Sequence, residues 1–195
     1  MEFIRAENSY AWQVYQSQAG VPECTVDDLR QADGVVFGSP TRFGNMSAQM
    51  KALIDGTAKL ARGRNGGETA GVFTSTASTY GGQETTLLTM MVPLIHLGMV
   101  VAGVPYSVEG MIHTEARGGT PYGASTIAGP RGELQPPEED LRIERALGRR
   151  IAALAVKLRV SGDLLISETA SVRFPSNCAA TPSTCARRVF PHPGT

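Results

Sequence analysis

The chain has 195 residues, 42% of them hydrophobic, and its eighteen basic and eighteen acidic side chains cancel to a net charge of zero. That length and apolar content make one globular domain with a real core the default, not a disordered chain. The cancelled charge excludes bulk electrostatic capture of nucleic acid or anionic lipid and leaves small ligands open. Cys24, Cys178 and Cys185 are too few and too scattered for a disulfide framework, with a Cys178–Cys185 bridge as the minor alternative. No Cys-x-x-Cys or Cys/His cluster has metal-ligand spacing. The start, Met1 to Arg5, lacks a signal peptide's apolar core, and the longest apolar run, Leu87 to Ile95, is interrupted by Thr89 and Pro93. The expectation is therefore a soluble, cytoplasmic protein without a membrane span.

Residues 1–24 read as a divergent arm in which Tyr10, Trp12, Val14 and Tyr15 alternate with polar residues, either a short strand or an arm without one. Trp12 fits packing better than a stacking platform. Thr25 followed by Asp27 and Asp28 predicts a capped short helix. Gly34 to Met46 is the stretch with most chemistry: Val35, Val36 and Phe37 form a strand buried on both faces, and Ser39 to Asn45 follows as a polar loop. Within seven residues that loop offers backbone N–H groups, two hydroxyls, a guanidinium, an aromatic face and an amide, a set suited to a flat polar ring.

A helix capped by Asn45 or Ser47 is predicted next, with Met46, Met50, Leu53, Ile54 and Leu60 on one face. Arg62 and Arg64 lie in a glycine-rich break, as solvated loop charges or phosphate contacts. Ala70 to Thr74 is a second buried strand ending in Ser75-Thr-Ala-Ser-Thr-Tyr-Gly-Gly82, and a helix over 83–97 follows with Leu87, Leu88, Met91, Leu94 and Ile95 as its apolar set, kinked at Pro93. Two successive strand–loop–helix units, each with a polar loop at the strand's carboxyl end, predict a ligand crevice at that edge of an open sheet. Taken alone, the second loop is equally a phosphate site at a helix N-terminus or a simple turn. Met99 to Gly103 is a third strand. Residues 105–129 form a connection long enough to be a lid, a binding loop, a structural loop or a subunit contact. Pro136 and Pro137 open a helix carrying Leu141, Leu147, Ile151, Leu154 and Leu158, and from 160 to 195 a Pro-, Ser- and Thr-rich stretch reads as a disordered tail.

Four motifs then coincide: Gly38-Ser-Pro-Thr-Arg-Phe-Gly-Asn-Met46; Phe73-Thr-Ser-Thr-Ala-Ser78 with Gly81-Gly-Gln-Glu-Thr85; His96-Leu-Gly-Met99; and Gly118-Gly-Thr-Pro-Tyr-Gly-Ala124. In order and spacing, from about Thr25 to Leu158, they resemble the WrbA-type NAD(P)H:quinone oxidoreductases. The resemblance implies an α/β, flavodoxin-like open parallel sheet with helices on both faces over residues 25–159, FMN at the topological switch point, and a tetramer with active sites near subunit interfaces. It also implies two-electron hydride transfer from NAD(P)H through FMN to a quinone. Pro40, Thr41, Arg42, Phe43, Gly44 and Asn45 would line the isoalloxazine. Ser75, Thr76, Ala77, Ser78, Gly81 and Gly82 would form the second flavin loop.

By the same resemblance His96 stands beside flavin and quinone as a proton donor, whereas from the residues alone it is equally a packed helix histidine. Thr120 and Tyr122 would approach a neighbouring subunit's site, and His113 has no family role. The family's hydrophobic first strand and its Ser-x-x-Gly loop for the FMN phosphate have no match before Thr25, so the expectation is a sheet incomplete at its N-terminus. Losing about three charge-assisted hydrogen bonds would remove ~4 to 9 kcal/mol from FMN binding and impair activity. The alternative is a non-catalytic flavodoxin-like remnant that packs with other subunits through residues 105–129.

Overall fold

The computed structural model describes Trp12, Gln16 and residues 19–59 and 68–165. Arg62 and Arg64, the Cys178–Cys185 pair and the tail beyond 165 lie outside the described residues. Trp12 and Gln16 have helical backbone rather than the strand considered for the arm. The helix Val26–Gln31 (α1) begins in a reciprocal capping box: Asp28 N–H donates to Thr25 Oγ1 at 3.2 Å and Thr25 N–H to Asp28 Oδ2 at 2.7 Å. The Thr25 hydroxyl also donates to Asp28 Oδ2 at 2.7 Å, and this bond first, then that from Thr25 N–H, holds the Asp28 carboxyl below its ordinary range.

The strand Gly34–Pro40 (β1) runs into the helix Ala48–Gly56 (α2). Ser47 is the cap, its hydroxyl accepting from Met50 N–H at 3.3 Å, while its own N–H donates to Ser39 Oγ at 2.8 Å. The strand's last turn is thus tied directly to the helix start. Thr69–Thr76 (β2) is the central strand, buried along almost its whole length. After it come the helix Gln83–His96 (α3), the strands Val100–Val101 (β3) and Ala124–Ile127 (β4), and the helix Glu138–Leu165 (α4).

All pairings in the four-stranded sheet are parallel. β1 lies along one edge of β2, and among the described residues it pairs with no other strand. The other edge of β2 is shared: its first two residues pair with β3 and its last four with β4. The third strand expected at Met99–Gly103 is therefore split. Its ladder is two residues long, Val104 N–H donates to Pro121 O, and residues 105–123 loop out before β4 completes the pairing. β4 sits inside the stretch read as lacking secondary structure, because four residues with Ser and Thr give almost no periodic signal.

One core, including Leu29, Phe37, Ile54, Val72, Leu87, Met90 and Leu94, lies between the sheet and α1, α2 and α3. The other, including Val104, Met111, Ala124, Ile143, Leu147 and Ile151, lies between the sheet and α4. Helices thus cover both faces of an open parallel sheet, a flavodoxin-like α/β fold. On α3 the buried stripe is Gln83, Thr86, Leu87, Met90 and Leu94, so Leu88 and Ile95, expected inside, are exposed. On α4, Ile143 takes a core position not anticipated, Leu158 is exposed, and the helix continues past 160 to Leu165, beyond the expected start of the tail. No helix among the described residues is long and apolar enough to cross a membrane.

Candidate active site

β1 and β2 end side by side, with Pro40 in register with Ser75, and Thr41 N–H carries the ladder one step further to Ser75 O at 3.0 Å. The loops after the two strands therefore leave the same edge of the sheet. The first is a tight turn. Arg42 N–H donates to Asn45 O at 2.7 Å and Asn45 N–H to Arg42 O at 3.1 Å, with Phe43 and Gly44 between them at φ of 54° and 76°. Two positive φ values in succession are the signature of primed hairpin turns, and for Phe43 that backbone costs about 1–2 kcal/mol. Its ring, held there, is wholly exposed. Arg42 Nη1 donates to Thr41 O at 2.8 Å, and Asn45 Oδ1 accepts from Met46 N–H.

The second loop is braced by Thr76 Oγ1, which donates to Ser78 O at 2.9 Å, and by Gly81 N–H, which donates to the same carbonyl at 3.0 Å. Tyr80 is wholly exposed. Gly82, at φ +89°, is the N-cap of α3 and offers no side chain to cap it. The amides of Ala77 and Ser78 donate to no group among the described residues.

The loops are joined twice. A Cβ at Gly82 would lie 3.0 Å from Gly44 Cα, so the two backbones approach this closely only because residue 82 is glycine. Beneath that contact the Thr86 and Thr41 hydroxyls stand 2.8 Å apart, Thr86 Oγ1 is 2.7 Å from Gly82 O, and Gly44 N–H donates to Thr41 Oγ1 at 3.2 Å. With one proton per hydroxyl, the order that satisfies every group runs from Gly44 N–H to Thr41, from Thr41 O–H to Thr86, and from Thr86 O–H to Gly82 C=O. Thr86 is completely buried.

Below the loops, on the α4 side, a cavity of about 250 Å³ is lined by Gly38, Pro40, Phe73, Ser75 and Thr126 and by Asp140 and Glu144 of α4. Thr126 Oγ1 is buried there without a hydrogen-bond partner among the described residues. Asp140 is compensated by Arg117, whose Nη1 stands 3.7 Å from its Oδ1, so Glu144 is the carboxylate that would oppose a phosphate there.

The structure therefore brings Pro40, Thr41, Arg42, Phe43, Gly44 and Asn45 together with Ser75, Thr76, Ala77, Ser78, Gly81 and Gly82. His96 is elsewhere. It lies thirteen residues beyond Gln83, ~20 Å along α3 at 1.5 Å per residue. It lines the far end of an open groove of about 530 Å³ between α2 and α3, whose near end includes Asn45. Thr120 is buried and donates to Gly123 O at 3.1 Å, Tyr122 stands at the surface, and His113 Nδ1 is 3.1 Å from Glu115 O.

Thr86, Gln83 and Ser125 escape a sequence reading although they hold the loops in place. A signal for two of them exists: Gln83 and Thr86 occupy the first two positions of the stripe that Leu87, Met90 and Leu94 continue, so polar side chains stand where apolar ones are expected.

The family description NADPH-dependent FMN reductase matches residues 11–114, more than half of the chain and both loops. The chain belongs to this family. The NAD(P)H dehydrogenase (quinone) of Geotalea daltonii is 46% identical to it over 154 residues, 78% of this chain and 75% of the relative. That of Geobacter sulfurreducens is 51% identical over 142 residues, 72% of this chain and 70% of the relative. That of Syntrophobacter fumaroxidans is 49% identical over 142 residues, with 72% and 70% covered. As a member of the FMN reductase family the protein is an oxidoreductase that uses FMN and a reduced nicotinamide nucleotide.

The residues present fit the ring portion of FMN. The donating amides at Ala77 and Ser78, the Arg42 guanidinium and two exposed aromatic faces supply what a flat polar ring requires.

Proposed function

We propose that the protein is a WrbA-type quinone reductase, passing two electrons from NAD(P)H to a quinone in the cytoplasm as a homo-oligomer. The single observation that carries this reading is the locked pair of loops, Thr41 to Thr86 to Gly82, with Phe43 and Tyr80 projecting beside it. The names of the relatives in Geotalea and Geobacter support the quinone as acceptor. When bound, FMN supplies the two-electron carrier, so the chain needs no nucleophile of its own. The chain's part is to bind and orient the ring and to place donors at its anionic edge. Arg42 and the amides of Ala77 and Ser78 are those donors in this reading. Phe43 and Tyr80 exclude water from the ring's flanks.

His96 serves the site from a second copy of the chain. Its distance from Gly82 along α3 favours that arrangement over one within a single subunit. The exposed apolar stripe Leu88, Val92 and Ile95, beside the groove that His96 lines, gives a second copy a surface to cover. A tetramer with Thr120 and Tyr122 near subunit contacts is the assembly the family resemblance favours.

The test is a titration of purified protein with FMN, followed by NADH-dependent reduction of benzoquinone. Saturable quenching of FMN fluorescence together with turnover supports the reading. Absence of binding at high micromolar FMN sinks it and leaves the non-catalytic alternative.

A further inference from the structure

The hydrogen bonds around Gln83 connect the second loop to a part of the chain that the proposed reaction leaves unused. Gln83 is the first residue of α3, directly after Gly82, and the side chain of a first-turn residue usually reaches solvent. Here it is buried, and its Oε1 accepts from Ser125 Oγ at 2.6 Å. Ser125, in β4, is buried as well, and its Oγ accepts from Gly119 N–H at 2.9 Å. One proton on Ser125 serves both bonds without conflict: the hydroxyl donates to Gln83 and receives from Gly119.

Gly119 has φ +100°, and a Cβ there would lie 2.7 Å from Ile143 Cδ1, so the segment reaches Ser125 in a backbone form that only glycine adopts without strain. Its neighbours are fixed from the other side. Gly118 N–H donates to Asp140 Oδ2 at 3.3 Å, Arg117 Nη1 stands 3.7 Å from Asp140 Oδ1, and Arg117 Nη2 donates to Gly110 O at 2.7 Å. Residues 117–119 therefore span from the first turn of α4 to the first turn of α3. Gly82 caps α3 without a side chain, so the exit of the second loop is fastened by the residues after it: Thr86 ties it to Thr41, and Gln83 ties it to β4.

We propose that Gln83 and Ser125 are positioning residues for the flavin, holding the loop Ser75–Gly82 in its receiving form by tying its exit to Gly119 of the looped-out segment. The proposal rests on the flavin reading of that loop. It assigns the segment 105–123 a role inside its own subunit: whatever moves Gly119 moves the flavin loop. Gln83 and Ser125 touch neither ring nor substrate in this arrangement and act through the loop backbone.

The experiment uses the full chain with Gln83→Leu, which keeps volume but removes the acceptor, Gln83→Glu, which keeps an acceptor where the helix N-terminus favours an acid, and Ser125→Ala. Three quantities are read: hydrogen exchange of the bonded Gly81 amide without FMN, FMN affinity by fluorescence quenching, and kcat and KM for NADH with benzoquinone. In Gln83→Leu and Ser125→Ala, exchange at Gly81 is expected to rise at least tenfold. FMN affinity is expected to fall about tenfold, and kcat to fall more than KM rises. Gln83→Glu is expected to stay within threefold of the parent on all three.

A purely structural role would lower thermal stability in Gln83→Leu and Ser125→Ala while leaving exchange at Gly81 and FMN affinity as in the parent, and that result overturns the proposal. Failure of the parent itself to bind FMN overturns the flavin reading, and with it any role for these residues toward flavin. Parent-like FMN binding in the variants overturns only the present proposal. If Ser125→Ala does not fold, the Gln83→Leu and Gln83→Glu pair decides alone.

Discussion

Thr86→Val tests the link between the two loops most directly, because it removes one oxygen at constant shape from a completely buried position. Gly82 C=O would still accept from Thr86 N–H at 3.0 Å and from Thr85 Oγ1 at 3.2 Å, so that carbonyl stays satisfied. The loss falls on Thr41, whose hydroxyl loses its acceptor. A buried donor left alone costs ~1 to 3 kcal/mol. Thr41 is only half-buried and can turn toward water, which places the cost near ~1 kcal/mol. The thermal midpoint should fall by roughly 2–4 °C for a domain of this size. FMN affinity should fall by more than that stability change suggests, about tenfold, which corresponds to ~1.4 kcal/mol. Thr86→Ser is the counter-test. It keeps the hydroxyl chain but removes a buried methyl worth ~1 kcal/mol, so it should unfold earlier yet bind FMN within twofold of the parent. Urea unfolding and fluorescence titration of the three proteins separate these cases. Parent-like FMN binding by Thr86→Val alongside weakened binding by Thr86→Ser would refute the reasoning, since packing rather than the hydrogen-bond chain would then hold the loops.

Gly82→Ala should both strain a φ of +89° and push a methyl to within 3.0 Å of Gly44 Cα, weakening FMN by tenfold or more and destabilising the fold by at least ~1 kcal/mol, as read by titration and urea midpoint. Phe43→Gly should act with opposite signs, stabilising the fold by up to ~1 kcal/mol through relief of the positive φ while loosening FMN through loss of the aromatic flank; coupled loss of both quantities would contradict it. Thr25→Ala removes the capping box that holds the Asp28 carboxyl below its usual range. Because the folded-state value is the lower one, the stabilisation is complete above the unfolded Asp value of about 3.9 and disappears as pH falls through the folded value. The difference in thermal midpoint between parent and variant should thus be constant from pH 7 to 5 and shrink toward pH 3; a difference that grows in acid would contradict the assignment.

The parts of this fold that were legible in sequence are those where one local rule acts alone. Thr25 with Asp28 announces α1, the apolar run at Val35 to Phe37 announces β1, and Ser47, with Asn45 as its alternative, announces the start of α2. What stayed hidden depends on partners distant in sequence. β4 is a strand because Ala124 to Ile127 completes the edge that β3 leaves after two residues, a requirement set by β2 and invisible in four residues of mixed character. The phase of α3 was misread for a related reason. Counting only apolar residues centres its buried face on Leu88, Met91 and Ile95, whereas the actual face starts at Gln83 and Thr86, whose burial is affordable only because Ser125 and Thr41 donate to their oxygens. The same feature concealed the loop-to-loop connection, since hydroxyls on a core stripe read as weak core, not as fastening.

That distribution of polar atoms also shapes what a ligand can find here. Thr41 Oγ1, Thr86 Oγ1 and the carbonyls of Gly82 and Ser78 are already occupied by one another and by the amides of Gly44 and Gly81. Thr41, Thr76 and Thr86 are thus used to fix the loops. Left for recognition are the backbone amides at Ala77 and Ser78, the Arg42 guanidinium, the hydroxyls of Ser75, Ser78 and Thr79, and the aromatic faces of Phe43 and Tyr80, a set that suits a planar ring with polar atoms along one edge. The largely apolar cavity below, where Thr126 Oγ1 has no partner among the described residues and Glu144 stands at the wall beside the Asp140–Arg117 pair, suits a neutral group that can bond Thr126 better than a phosphate. A ligand that spans both environments must carry a flat acceptor-bearing ring joined to a hydroxylated chain. Riboflavin and FMN share those two parts and differ only in the phosphate. A comparison of their affinities therefore reads whether the chain supplies phosphate contacts: equal binding means that ring and hydroxylated chain carry the recognition, and a gap of a hundredfold in favour of FMN means that cations outside the two loops contribute.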